Sequence, residues 1–198
     1  MGLQGFAWPH GTGRMGSGQR RPMAHPAVLS DLAGPPPSVT PRGAAMLGRE
    51  HAIGHPALTD EQTGLANRLQ FELVYSYLFE GADRGVPLTL LLLTTPEPSL
   101  DTIRALGERI QATTRSSDLV AHLGSGRFIV ILLGTNLSGG RIAADRLEVA
   151  LAGLAVGPLS MGLAAWQPEM KEPEDLLRAV DETLRRAEAA GGGVELMA

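Results

Sequence analysis

The 198 residues contain no cysteine, which excludes disulfides and thiolate metal sites but leaves the compartment unassigned. Lysine is nearly absent: Lys171 stands against sixteen arginines, a bias we read as genome composition. The net charge of −4 is too small to point to a nucleic-acid or membrane partner. No apolar run approaches the ~20 residues of a membrane helix; the longest is Leu90–Leu93 with its neighbours. The first fourteen residues lack the continuous apolar segment of a secretory signal. A soluble, cytoplasmic protein is the expectation.

What is abundant up to Ala57 is glycine and proline, ten and eight respectively, about a third of that stretch. Such density without a repeat predicts a disordered leader over residues 1–57, with Pro35-Pro36-Pro37 locally extended. The leader carries five arginines against Asp31 and Glu50, a net +3, so the remaining chain carries −7 of the total −4. The expectation is a disordered leader or a misassigned start with Met46 as the true initiator; the functional alternative is a tether or docking arm. His51 and His55 have the i,i+4 spacing of helical metal ligands, but Gly54 and Pro56 oppose a helix there. Solvated histidines are the expectation.

From residue 58 to 198 the pattern is that of one folded domain. Phe71, Val74, Tyr75, Leu78 and Phe79 recur at helical spacing, with Gly81 read as the stop. Val86–Leu93 reads as a buried strand, and the prolines at 96 and 98 break the chain after it. Ser99 is a good N-cap for a helix whose inner face is Leu100, Ile103, Leu106 and Ile110. Leu119–Leu123 and Phe128–Leu133 flank the short turn Gly124-Ser125-Gly126-Arg127 and predict a β-hairpin with its second strand buried on both faces. Asn136 caps a third helix containing Ile142, Leu147, Val149 and Leu151. Leu159–Trp166 is a strand, Pro173 opens a last helix with Leu177, Val180, Leu184 and Ala187 inward, and Gly191–Gly193 ends it. Val194–Leu196 adds a short edge strand. The order α-β-α-β-β-α-β-α predicts an α+β fold, a ferredoxin-like or nucleotide-cyclase-like sandwich with a central mixed antiparallel sheet flanked by helices.

One absence matters more than the others. The hairpin turn is where such a sheet would present chemistry on a rigid support, and it holds two glycines, a serine and an arginine but no carboxylate. His122, just before the turn, is an acid/base by residue type alone; without a partner it reads as an ordinary strand residue.

Three separated stretches resemble the GGDEF family of diguanylate cyclase domains. Asp60-Glu61-Gln62-Thr63-Gly64-Leu65-Ala66-Asn67-Arg68 is similar to the family's D-x-L-T-G-L-x-N-R, with Gln62 for a leucine. Arg115–Gly124 resembles the run into the family hallmark, and Glu174–Asp181 its last helix. The likeness spans Asp60 to Leu196. It implies condensation of two GTP molecules assisted by divalent metal, which needs hard, usually carboxylate, oxygen ligands. The family takes these from the end of the first strand and the third hallmark position. Here those places read Thr94-Thr95 and, for GG(D/E)EF, Gly124-Ser125-Gly126-Arg127-Phe128. The guanine-binding segment shrinks to Pro96-Glu97-Pro98-Ser99, and the family's phosphate-contacting lysine corresponds to Glu188. The resemblance with these departures implies a catalytically inactive, degenerate GGDEF-like domain with no metal and no cofactor.

The family's inhibitory site for its product, cyclic di-GMP, is an R-x-x-D ending five residues before the hallmark, assisted by an arginine on the next helix. Arg115, Asp118 and Arg146 stand at the matching positions. Guanidinium forks grip phosphate and guanine edges, and a carboxylate accepts from guanine N–H groups. The alternative is that Arg115–Asp118 merely ends a helix and caps a turn. Two functional readings follow: a cyclic di-GMP-responsive signalling module, or a protein-interaction or dimerisation scaffold that binds no nucleotide. Residual cyclase activity is a distant third.

Overall fold

The computed structural model describes residues 56–96, 98–154 and 157–197. The leader read over residues 1–57, with Met46, His51 and His55, lies outside them except for Pro56 and Ala57. A 3-10 turn at Pro56–Leu58 leads into α1 (Arg68–Ala82), β1 (Leu88–Thr94), α2 (Leu100–Thr113), β2 (Leu119–Gly124) and β3 (Arg127–Leu133). Then follow α3 (Leu137–Leu151), β4 (Ser160–Ala165), α4 (Pro173–Ala189) and β5 (Gly193–Leu196). This is the expected α+β sandwich.

The sheet runs β2-β3-β1-β4-β5. The first three pairings are antiparallel, and β4–β5 is parallel. Helices α2 and α3 cover one face; α1 and α4 cover the other. With helices on both sides, β1 must be apolar on both faces, which is why LTLLLLT has no alternation. Leu91, Leu93, Val130 and Leu132 join Leu106, Ile110 and Leu147 in the core under α2 and α3.

The helix starts obey local chemistry. Asn67, Ser99 and Asn136 each turn a side-chain oxygen onto the backbone N–H three residues on, meeting one of the donors a helix start leaves unpaired. Pro173 occupies the first turn of α4, and the Asp175 carboxylate accepts from the N–H groups of Lys171 and Glu172. Those two bonds hold the Asp175 carboxyl below its ordinary value. Tyr75 stacks on Phe71 one turn away and donates to the Pro173 carbonyl at 2.6 Å, tying α1 to the start of α4.

Some expectations shift in detail. Gly81 lies inside α1; the chain reverses at Gly85, with φ +92, a conformation that favours glycine. Leu100 on α2 and Ile142 and Val149 on α3 are exposed, so each of those helices buries a narrower stripe than its apolar content suggests.

Candidate functional site

The hairpin turn is a two-residue loop, Ser125-Gly126, with φ of +51 and +71. Positive φ at both central residues is the type I′ pattern that matches strand twist. Gly126 is required for a second reason: an added Cβ would lie 2.6 Å from Pro98 Cγ and 3.1 Å from the Thr95 carbonyl oxygen. The β1–α2 connection therefore packs directly against the turn. Phe128 is fully buried beneath it.

Arg127 pairs with Thr94 across β3 and β1, on the sheet face that α4 covers. Its Nη2 donates to Asp181 Oδ1 at 3.3 Å, and the other Asp181 oxygen accepts from Arg185 at 2.6 Å. Burial lowers the Arg68 guanidinium; Glu72 opposes that shift, while the like charge of Arg127 adds to it. Thr95 is buried with no hydrogen-bond partner for its hydroxyl. Glu188 is exposed near the end of α4.

These groups do not fit a hard divalent cation. The strand end offers neutral hydroxyls, the turn offers a guanidinium, and the Asp181 carboxylate is held by two arginines. The space on the Cβ side of Gly126 is occupied by Pro98.

At the opposite end of the hairpin, Arg115 follows α2 and Asp118 precedes β2. The turn between them is closed by the Asp118 N–H on the Arg115 carbonyl (3.1 Å) and by the Arg115 N–H on Asp118 Oδ2 (3.0 Å). The turn-capping role is thus real. Arg115 and Asp118 also line a cleft of about 270 Å³ together with Arg146 from α3. Leu132, Ile142 and Ala143 supply apolar lining, and Asn136 stands at the same cleft. Arg115 and Arg146 are exposed and have no ion-pair partner among the described residues. The structure thus brings the three residues together at the end of the hairpin away from the hallmark turn, which Arg115 and Asp118 precede and Arg146 follows in sequence.

One constellation escaped the sequence reading. His122 has a partner: its Nδ1 lies 2.9 Å from Asp60 Oδ1. The same oxygen accepts from the Thr63 N–H (3.0 Å) and hydroxyl (2.8 Å). Burial alone would raise the Asp60 carboxyl, but the Thr63 and His122 contacts together hold it below its ordinary value. The His122 backbone N–H donates to the Ala66 carbonyl at 2.9 Å, and its ring packs 4.8 Å from Phe128. The residues before α1 are so pinned to β2, the edge strand. The available signals were Asp60 opening the first motif and His122 as the one polar residue in its apolar run.

The fold defines a nucleotide-cyclase-type α+β sandwich. Residues 101–193 match the family described as diguanylate cyclase, GGDEF domain, and that stretch of the chain belongs to the GGDEF family. The chain is 27% identical over 157 residues to the response regulator PleD of Caulobacter vibrioides, covering 68% of this chain and 35% of PleD. It spans, therefore, about a third of that relative. Among solved structures, the GGDEF domain of YfiN from Pseudomonas aeruginosa aligns with a TM-score of 0.62 at 24% identity, covering 71% of this chain and 94% of that one. The GGDEF domain of DgcB from Caulobacter crescentus, in complex with c-di-GMP, aligns with a TM-score of 0.62 at 20% identity, covering 71% and 96%. At these identities the likeness is one of fold. No helix among the described residues is long and apolar enough to cross a membrane.

Proposed function

We propose that this domain is a non-catalytic, cytoplasmic GGDEF-like signalling module that binds cyclic di-GMP through Arg115, Asp118 and Arg146. The observation that carries the reading is the shared cleft: three residues from two segments, the α2–β2 turn and α3, two of them unpaired guanidiniums, line about 270 Å³ with partly apolar walls. Pockets of about 300 Å³ and upward take small ligands, so a cleft of this size suits part of a dinucleotide, with the rest at the surface. Two guanidiniums supply charge and bidentate geometry for phosphate, and Asp118 retains lone pairs for a base N–H. Titration calorimetry with cyclic di-GMP tests it: micromolar binding abolished by Arg115→Ala is expected, and absence of heat at high micromolar ligand would reject it.

Loss of cyclase activity is part of the same proposal. Its support is the donor chemistry around Thr94, Thr95 and Arg127, where a dication would meet hydroxyls and a fixed positive charge. Incubation with GTP and magnesium or manganese should yield no cyclic product; a cyclic dinucleotide in the chromatogram would refute it.

A second reading, a protein-interaction or dimerisation scaffold, is favoured by a different feature. Leu69, Leu73 and Tyr77, spaced i, i+4, i+8 on α1, are 48%, 59% and 79% exposed and form an apolar stripe on the outer face. Titration without binding, combined with concentration-dependent mass in sedimentation that Tyr77→Glu abolishes, would shift the conclusion to this reading.

A further inference from the structure

We propose that Arg127 acts as a built-in cation that fastens the hairpin to α4, so that this face of the domain is complete without a divalent metal or a nucleotide. The proposal does not depend on what the Arg115 cleft binds.

Four observations converge on it. Arg127 leaves the sheet beside Thr94, on the α4 side, and its guanidinium reaches Asp181 on that helix. Both side chains are largely shielded, at 24% and 20% exposure, so the attraction is screened less than a surface pair would be. Asp181 is held from a second direction by Arg185, whose own side chain is 63% exposed. A metal ion would have to strip two guanidiniums from this carboxylate and sit beside positive charge. Finally, Pro98 and the Thr95 carbonyl pack against Gly126 in the turn next to Arg127, filling the space on its Cβ side. A bound dication would draw carboxylates together to hold a hairpin against a helix. Here one guanidinium does that from within the chain, and its charge cannot be chelated away.

Thermal unfolding of the full chain tests this. Arg127→Met keeps the aliphatic stem and removes the charge; Asp181→Asn removes the opposite one. Each should lower Tm by roughly 2–4 °C. The double variant should fall by less than the sum of the two single losses, because the Arg127–Asp181 pair is lost only once. Equal, additive losses would overturn the pairing. Magnesium, manganese and GTP should leave the wild-type Tm unmoved, and a rise with any of them would overturn the claim of completeness. Arg127→Glu supplies the converse: two carboxylates then face each other, Tm should drop in chelator by more than with Arg127→Met, and manganese should restore part of it. Indifference of that variant to manganese would count against a cation requirement at this spot. Should Arg127→Glu fail to fold, the Met and Asn cycle decides alone.

Discussion

Removing the Asp60 carboxylate should cost the domain about 3 kcal/mol, and most of that cost should arise at His122, 62 positions away in the chain. Asp60 Oδ1 accepts three hydrogen bonds, two from Thr63 and one from His122. The Thr63 groups are only partly buried and can turn to water, so their loss is worth about 1 kcal/mol. The His122 side chain is 1% exposed and cannot. In Asp60→Ala its Nδ1 is left without an acceptor while Nε2 already lacks a partner, and a buried polar group in that state costs about 1–3 kcal/mol. His122→Leu removes the bond and the unpaired ring nitrogens together, so it should be milder, about 1 kcal/mol. The combination should be no worse than Asp60→Ala alone, a coupling of about 1–2 kcal/mol. Urea unfolding followed by circular dichroism, at constant m-value, reads all three. If Asp60→Ala falls within about 0.5 kcal/mol of wild type, or if the two changes add, the pin is not what holds this segment to β2.

The same carboxylate sets an acid limb. Its folded pKa lies below the ordinary 3.8, so as pH falls the unfolded chain takes up the proton first. Its contribution is complete above the ordinary carboxylate range and is lost as pH drops through the folded value. Asp60→Asn should therefore be less stable at neutral pH and show a shallower decline in urea midpoint with acid; an unchanged slope would refute the assignment. Gly162→Ala should destabilise by about 2–3 kcal/mol through overpacking, since the new Cβ would lie 2.6 Å from Thr183 Oγ1 and 2.8 Å from Leu184 Cα. Gly153→Ala, where nothing lies within 4 Å, is the control expected to be near neutral in the same unfolding assay.

Local features were legible because their causes are local. Ser99 and Asn136 announce helix starts, Pro173 occupies the first turn of α4, and the two glycines of Gly124–Arg127 mark a hairpin, each through bonds spanning a few residues. Strand order was beyond reach, since β1 pairs with β3 and β4, both far along the chain from it. Gly81 carries the sequence signal of a stop, but α1 runs through it and the positive φ falls at Gly85. Ile142 and Val149 show why apolar content overstates burial: α3 needs only Ala143, Ala144, Leu147 and Leu151 against the core. At the candidate site, the spacing of Arg115 and Asp118 was visible, and their meeting with Arg146 depends on α3 packing beside α2. The partners of His122 and Arg127 were not visible, because Asp60 and Asp181 come from segments 62 and 54 residues away.

The Arg115 cleft is proposed to hold a cyclic dinucleotide. Isothermal titration of the full chain with cyclic di-GMP tests it most directly. Micromolar binding, abolished by Arg115→Ala and weakened by Arg146→Ala while both variants keep the wild-type Tm, is the predicted result. No heat at high micromolar ligand, or binding that survives both substitutions, would contradict it.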